Sequence, residues 1–186
     1  MLWDLNAKYA ILTENGKKSS PVSVSYLVNM AVDTRPVENF LHSSDRYSFF
    51  HQLMVARKVS RDFSVQAAVS VSHFNKVEGY VKSDTEIAGK MKNDHIAFSL
   101  LGRYKVSDAF ALIANYDQPI TKHITNNPRP NISMGCEIAT PYHAFQIFVG
   151  NSKWLVPQYS NVFNQNKFSS GEFLIGFNIT RLIDTK

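Results

Sequence analysis

A single cysteine, Cys136, stands in this chain of 186 residues, which excludes an internal disulfide and a paired-thiol metal site. Its neighbours alternate apolar and polar, so it reads as a small hydrophobe. Long hydrophobic runs are missing as well. The longest unbroken apolar stretch, Ala109 to Ala114, falls far short of the roughly 20 residues a spanning helix needs. A helical membrane protein is thereby excluded, whereas a membrane barrel is not, because barrel strands turn only every second residue to lipid. Charged residues are few, at 19% against 44% hydrophobic, and that balance excludes a disordered chain. The net charge of +5 is scattered, mostly near turns, instead of clustered among stacking aromatics, so no nucleic-acid partner is expected.

Catalytic signatures are absent too. There is no GxSxG elbow, HExxH helix, Walker loop or Rossmann glycine set. The six histidines (His42, His51, His73, His95, His123, His143) are spread out, mostly at strand ends or in loops. The reading is therefore not an enzyme, with no catalytic residue, no metal and no cofactor. A phospholipase-like pair, Ser72 or Ser99 with His95 on a neighbouring strand, ranks third among the functional readings, because so many serines produce such pairs by chance.

What the chain does have is a period of two. Trp3, Leu5, Ala7, Tyr9 and Ile11 alternate with Asp4, Asn6, Lys8 and Ala10. Phe63, Val65, Ala67, Val69 and Val71 alternate with Ser64, Gln66, Ala68, Ser70 and Ser72. Helical spacing would scatter each set around a cylinder, whereas a pleat gives each its own face. Thirteen Phe and eight Tyr against two Trp fit strands as well. The pattern predicts about nine strands, near 2–12, 21–33, 46–59, 63–74, 95–105, 109–117, 131–140, 143–151 and 172–182. Asn15-Gly16 reads as a hairpin turn. Segment 46–59 is the least regular, interrupted by His51, and a bulge is expected there.

The links alternate strictly in length. Short ones fall at 13–20, 60–62, 106–108 and 141–142; long ones fall at 34–45, 75–94, 118–130 and 152–171. In an up-and-down meander this puts tight turns on one rim and long loops on the other, the asymmetry of outer-membrane barrels. The fold expected is all-β: an antiparallel up-and-down transmembrane barrel, one domain over 1–186, with about nine strands present of about ten to twelve in a complete barrel. Odd parity, and a strand-like Trp3–Tyr9 where a basic start and an apolar stretch would mark a signal peptide, lead to a further expectation. A signal peptide and the first strand or strands would precede this chain.

Alternation alone leaves open which face meets lipid, since a soluble lipocalin-like carrier of an apolar ligand would invert the two. Loop asymmetry favours the membrane version. So do aromatics near strand ends (Trp3, Tyr47, Phe63, Tyr104, Phe110, Tyr116, Phe173) and a polar face rich in Ser, Asn, Gln and Ala. In that version Lys8, Arg103, Asn115, Asp117, Glu137 and Gln146 point into the lumen. They form either a self-satisfied network filling a narrow bore or a selective constriction, and the first is favoured because few strands leave little open space. Loop 75–94 mixes both signs of charge and reads as solvated and mobile. Loop 152–171 carries Trp154, Leu155, Tyr159, Phe163 and Phe168, too apolar to lie idle in water. It folds over the mouth, extends its strands or contacts a partner, with Trp154, Tyr159 and Phe163 the candidate contacts.

Several stretches in order, Pro21-Val22-Ser23-Val24-Ser25-Tyr26, His51-Gln52-Leu53-Met54-Val55-Ala56-Arg57-Lys58, Gly102-Arg103-Tyr104-Lys105, His143-Ala144-Phe145-Gln146-Ile147-Phe148 and Gly176-Phe177-Asn178-Ile179-Thr180-Arg181, carry a resemblance over nearly the whole chain. It resembles an uncharacterised, domain-of-unknown-function family of β-barrel proteins of the Gram-negative outer membrane. The resemblance implies an outer-membrane location and no assigned activity. It also implies a signal peptide and additional N-terminal strands, expected to precede Trp3. The function expected is a non-catalytic outer-membrane barrel, porin-like for small solutes or an accessory subunit of an envelope complex. Its partners would be outer-membrane lipid and other envelope proteins.

Overall fold

A computed structural model describes residues 2–14 and 20–181. Nine long antiparallel strands form one curled sheet in sequence order: β1 (Leu2–Leu12), β2 (Ser23–Asp33), β3 (Tyr47–Lys58), β4 (Phe63–Phe74), β7 (Asp94–Lys105), β8 (Phe110–Pro119), β9 (Asn131–Ala139), β10 (His143–Gly150) and β11 (Leu174–Arg181). Each begins or ends within about two residues of where the alternation places it. The Asn15-Gly16 turn lies outside the described residues.

Three tight turns share one device. Ser60, Ser107 and Thr140 each accept, on the side-chain oxygen, the backbone N–H of the residue three positions on, at 3.1, 3.1 and 3.0 Å. Those residues, Phe63, Phe110 and His143, open the next strand, so a hydroxyl holds the chain while it reverses. Long connections fill the opposite rim, as the link lengths require.

One expectation is corrected. β3 pairs with β2 and β4 without a register shift, and the irregularity falls instead in β1, between Ala10 and Leu12. His51 disturbs the pattern without bulging the strand because its Nδ1 bonds the hydroxyl of Tyr26 at 2.9 Å, on the neighbouring strand and the same face. The segment read as solvated and mobile contains a hairpin, β5 (Gly79–Ser83) with β6 (Glu86–Lys90). Its mixed charges include a cross-turn ion pair, Lys82 to Glu86 at 3.0 Å, and Met91 just beyond the hairpin is buried.

The register sorts the two faces. Val65, Val69, Ile96, Leu100, Leu112, Tyr116, Met134 and Ile147 lie on one face and are exposed. The other carries Ser48, Phe50, Ser70, Ser72, Ala97, Ser99 and Asn131, all buried, although most are small or polar. Apolar outside and polar inside is the membrane arrangement, the reverse of what a soluble carrier needs.

The inner face is buried because the β10–β11 connection folds onto it. Helix α1 (Pro157–Phe163) starts on a proline, whose missing N–H costs nothing in a first helical turn. Seven residues cannot hold a helix alone in water. Packing holds this one: Gln158, Asn161 and Val162, spaced three and four apart, turn inward against β3, β4, β7 and β8. The small residues beneath, Ser70, Ser72, Ala97 and Ser99, leave room for it.

Candidate functional site

The inner face carries two polar systems at different heights. The lower one, toward the tight turns, is a chain of side chains crossing five strands. Arg103 on β7 donates from Nε and Nη2 to Oε1 of Glu137 on β9, at 3.1 and 2.9 Å. Gln146 on β10 donates to the other Glu137 oxygen at 2.8 Å, and Asn178 on β11 donates to Gln146 at 3.3 Å. Register dictates this, since Glu137, Gln146 and Asn178 are direct cross-strand partners. The Arg103 side chain reaches across β8 at Ile113, its own partner there. A cleft of about 390 Å³ opens beside them, lined by Arg103, Asn115, Glu137, Gln146 and Phe148.

The six residues expected in the lumen all fall on this face, but not in one cluster. Arg103, Glu137 and Gln146 are joined. Asn115 donates instead to Asp117 at 3.0 Å, higher up β8, where Asp117 also faces Ser99 and Asn131. Lys8 is exposed on β1, an end of the strand order, and makes no hydrogen bond among the described residues. Asn178 completes the lower chain, and alternation from Gly176 to Thr180 is the signal that places it.

Arg103 and Glu137 are part-buried, so their pairing is worth more than an exposed ion pair and less than a core one. A double-mutant cycle with Arg103→Ala and Glu137→Ala, read by urea unfolding in lipid, should give a coupling of about 1 kcal/mol. A coupling near zero would mean the two side chains do not meet.

The upper system is the plug. Val162 is fully buried with Phe74 and Met91, and the Phe74 ring meets Tyr159 and Phe163 edge-on at 5.2 and 5.3 Å. Trp154 packs in turn against Tyr159 at a tilt, ring centres 5.3 Å apart. All three aromatics expected as partner contacts are thus engaged within the chain, while Leu155 stays 90% exposed. Burial raises the pKa of the Tyr159 hydroxyl, which keeps that ring neutral in the cluster. Polar clamps pin the plug: Gln158 donates to the Ser48 hydroxyl at 3.2 Å, and Asn131 donates to Asn161 at 2.9 Å. Asn151 donates to the carbonyls of Pro130 and Asn166 at 2.8 and 2.9 Å. Sequence reading missed Gln158, Asn161 and Ser48; a proline followed by inward positions three and four apart was the available signal.

His95 also lies under the plug. Ser72 is its cross-strand partner, and both are buried, yet no hydrogen bond joins them among the described residues. No group of three or more His, Cys, Asp or Glu with metal-binding geometry occurs among the described residues.

A family model described as a membrane bound beta barrel domain (DUF5777) matches residues 1–183. No curated protein and no solved structure matches the chain.

Proposed function

The chain belongs to this family of membrane-bound β-barrel domains, and from that premise we propose that it serves as a non-catalytic outer-membrane barrel closed at its loop rim, an accessory subunit of an envelope complex. One observation carries the reading: α1 packs onto the inner face of the curled sheet, with Gln158 and Val162 wholly buried against β3, β4, β7 and β8. A loop that merely narrowed a pore would keep a wetted surface toward the axis, whereas this one is bonded and packed into the barrel wall. The absence of catalysis rests on access. Ser72 and His95 are 1% and 4% exposed beneath that plug, too deeply set for a lipid ester to reach, and no hydrogen bond joins them among the described residues. Envelope proteins would meet the rim through exposed apolar points such as Leu41 and Leu155, with outer-membrane lipid around the wall.

Planar-bilayer recording tests this. The intact chain should give no steps, and replacing 154–168 by a short Gly-Ser linker should produce them. Ohmic steps from the intact chain would overturn it in favour of a small-solute porin. That second reading draws on the lower cleft, and there Arg103→Ala and Glu137→Ala would shift ion selectivity in opposite directions.

A further inference from the structure

Two histidines from separate elements, one buried and one half-buried, meet beside the plug. His95 is the second residue of β7 and is 4% exposed; His123 comes from the β8–β9 connection and is half-buried. Their rings stand edge to face with centres 5.1 Å apart. The His95 ring has one nitrogen committed to the backbone. His95 donates from Nε2 to the Lys92 carbonyl at 2.7 Å, which leaves Nδ1 as a bare lone pair. The His123 ring likewise has its Nε2 buried with no hydrogen-bond partner among the described residues. Both leftover nitrogens are buried and unpartnered, and so is the hydroxyl of Ser72 across the ladder from His95.

Uncompensated buried polar atoms are costly, and two imidazole nitrogens on rings whose centres are 5.1 Å apart, with the Ser72 hydroxyl across the ladder from one of them, call for a shared donor or cation. A carbonyl that fixes the tautomer and aims the other nitrogen inward is the support that metal-binding imidazoles normally have. The spacing fits as well. An imidazole bound at about 2.0–2.1 Å puts its ring centre about 3.2 Å from the metal, so two at a tetrahedral angle hold their centres about 5 Å apart.

We propose that His95 and His123 form a two-histidine site for a divalent transition-metal ion such as zinc, which ties the β8–β9 loop to the barrel wall beside the plug. Neutral imidazole is the ligand type that Zn, Cu and Ni prefer over Mg or Ca. Water completes the coordination, and the Ser72 hydroxyl is the nearby group to receive its hydrogen bond. The site stands whether or not the pore conducts.

The test titrates the metal-stripped full chain, in detergent micelles and without an affinity tag, with Zn²⁺ against a competing chelator. One equivalent should bind, with micromolar affinity or better. His123→Gln and His95→Gln should each weaken it at least about tenfold. His73→Gln should leave it unchanged, because that ring is already held by Asp94 and Asn75 at 2.7 and 3.1 Å. His95 sits deep enough that its variant can misfold, so the loop variant His123→Gln is the decisive one, with retained heat-modifiable gel mobility as the check on folding. Zn²⁺ should also raise the melting temperature of the parent and not of His123→Gln. Failure to bind one equivalent, which would mean an internal water bridges the rings, overturns the proposal. Unchanged affinity in a folded His123→Gln overturns it too.

Discussion

Leu100→Arg should destabilise the lipid-embedded protein by about 2–4 kcal/mol, the cost of an arginine on the lipid face near the bilayer midplane. Leu100 sits mid-way along β7, on the apolar face, with 49% of its surface exposed. Nothing within the protein covers it, so in a membrane it rests against acyl chains. Gln66 supplies the control. It pairs with Leu101 in the same ladder, one residue along, and therefore points to the opposite, polar face. Gln66→Arg puts the same charge into the lumen, where water and polar neighbours solvate it, and should cost less than about 1 kcal/mol. Urea unfolding in phosphatidylcholine vesicles, followed by tryptophan fluorescence, reads both. Equal penalties, or a larger one at Gln66, would reverse the two faces and restore the soluble-carrier arrangement.

This contrast is legible in the sequence, because β4 and β7 alternate so strictly. A period-two pattern specifies the face of every residue in a strand, and link lengths specify which rim it approaches. It does not specify distance across the sheet. Lys8 therefore shares a face with Arg103 yet stands at the far end of the strand order, while Asn178 joins the chain through Gln146. Helix α1 is illegible for a different reason. Tyr, Ser, Asn and Val are indifferent helix formers, and seven residues are too few to nucleate alone, so packing against Phe74 and Ser48 decides the conformation. The pairing of His95 with His123 needs the register and the loop path together. The charge-rich hairpin β5–β6 escapes sequence reading because alternating signs look alike whether solvated singly or paired across a turn.

A methyl group at Gly135 should cost about 2–3 kcal/mol, more than most single changes in this sheet. Gly135 on β9 and Gly176 on β11 both pair with Phe148 on β10, so one aromatic ring lies on the inner face between two residues without side chains. The two glycines are not equivalent. A Cβ built on Gly135 meets the Phe148 Cβ at 2.6 Å and its Cα at 2.7 Å, and it collides with the Ile147 carbonyl, all at or next to the backbone. A Cβ on Gly176 meets only the far side of the Phe148 ring, which can swing toward the cleft. Gly176→Ala should therefore cost about 1 kcal/mol, within the range for an off-rotamer side chain. Its penalty should vanish in the background of Phe148→Ala, where the ring is gone. Gly135→Ala should keep most of its penalty in that background, because backbone atoms remain in the way. Urea midpoints for the single and double variants separate these outcomes. If Phe148→Ala relieved both glycine variants equally, the close approach at Gly135 would be with the ring, and the β9–β10 register would have to differ from the one described.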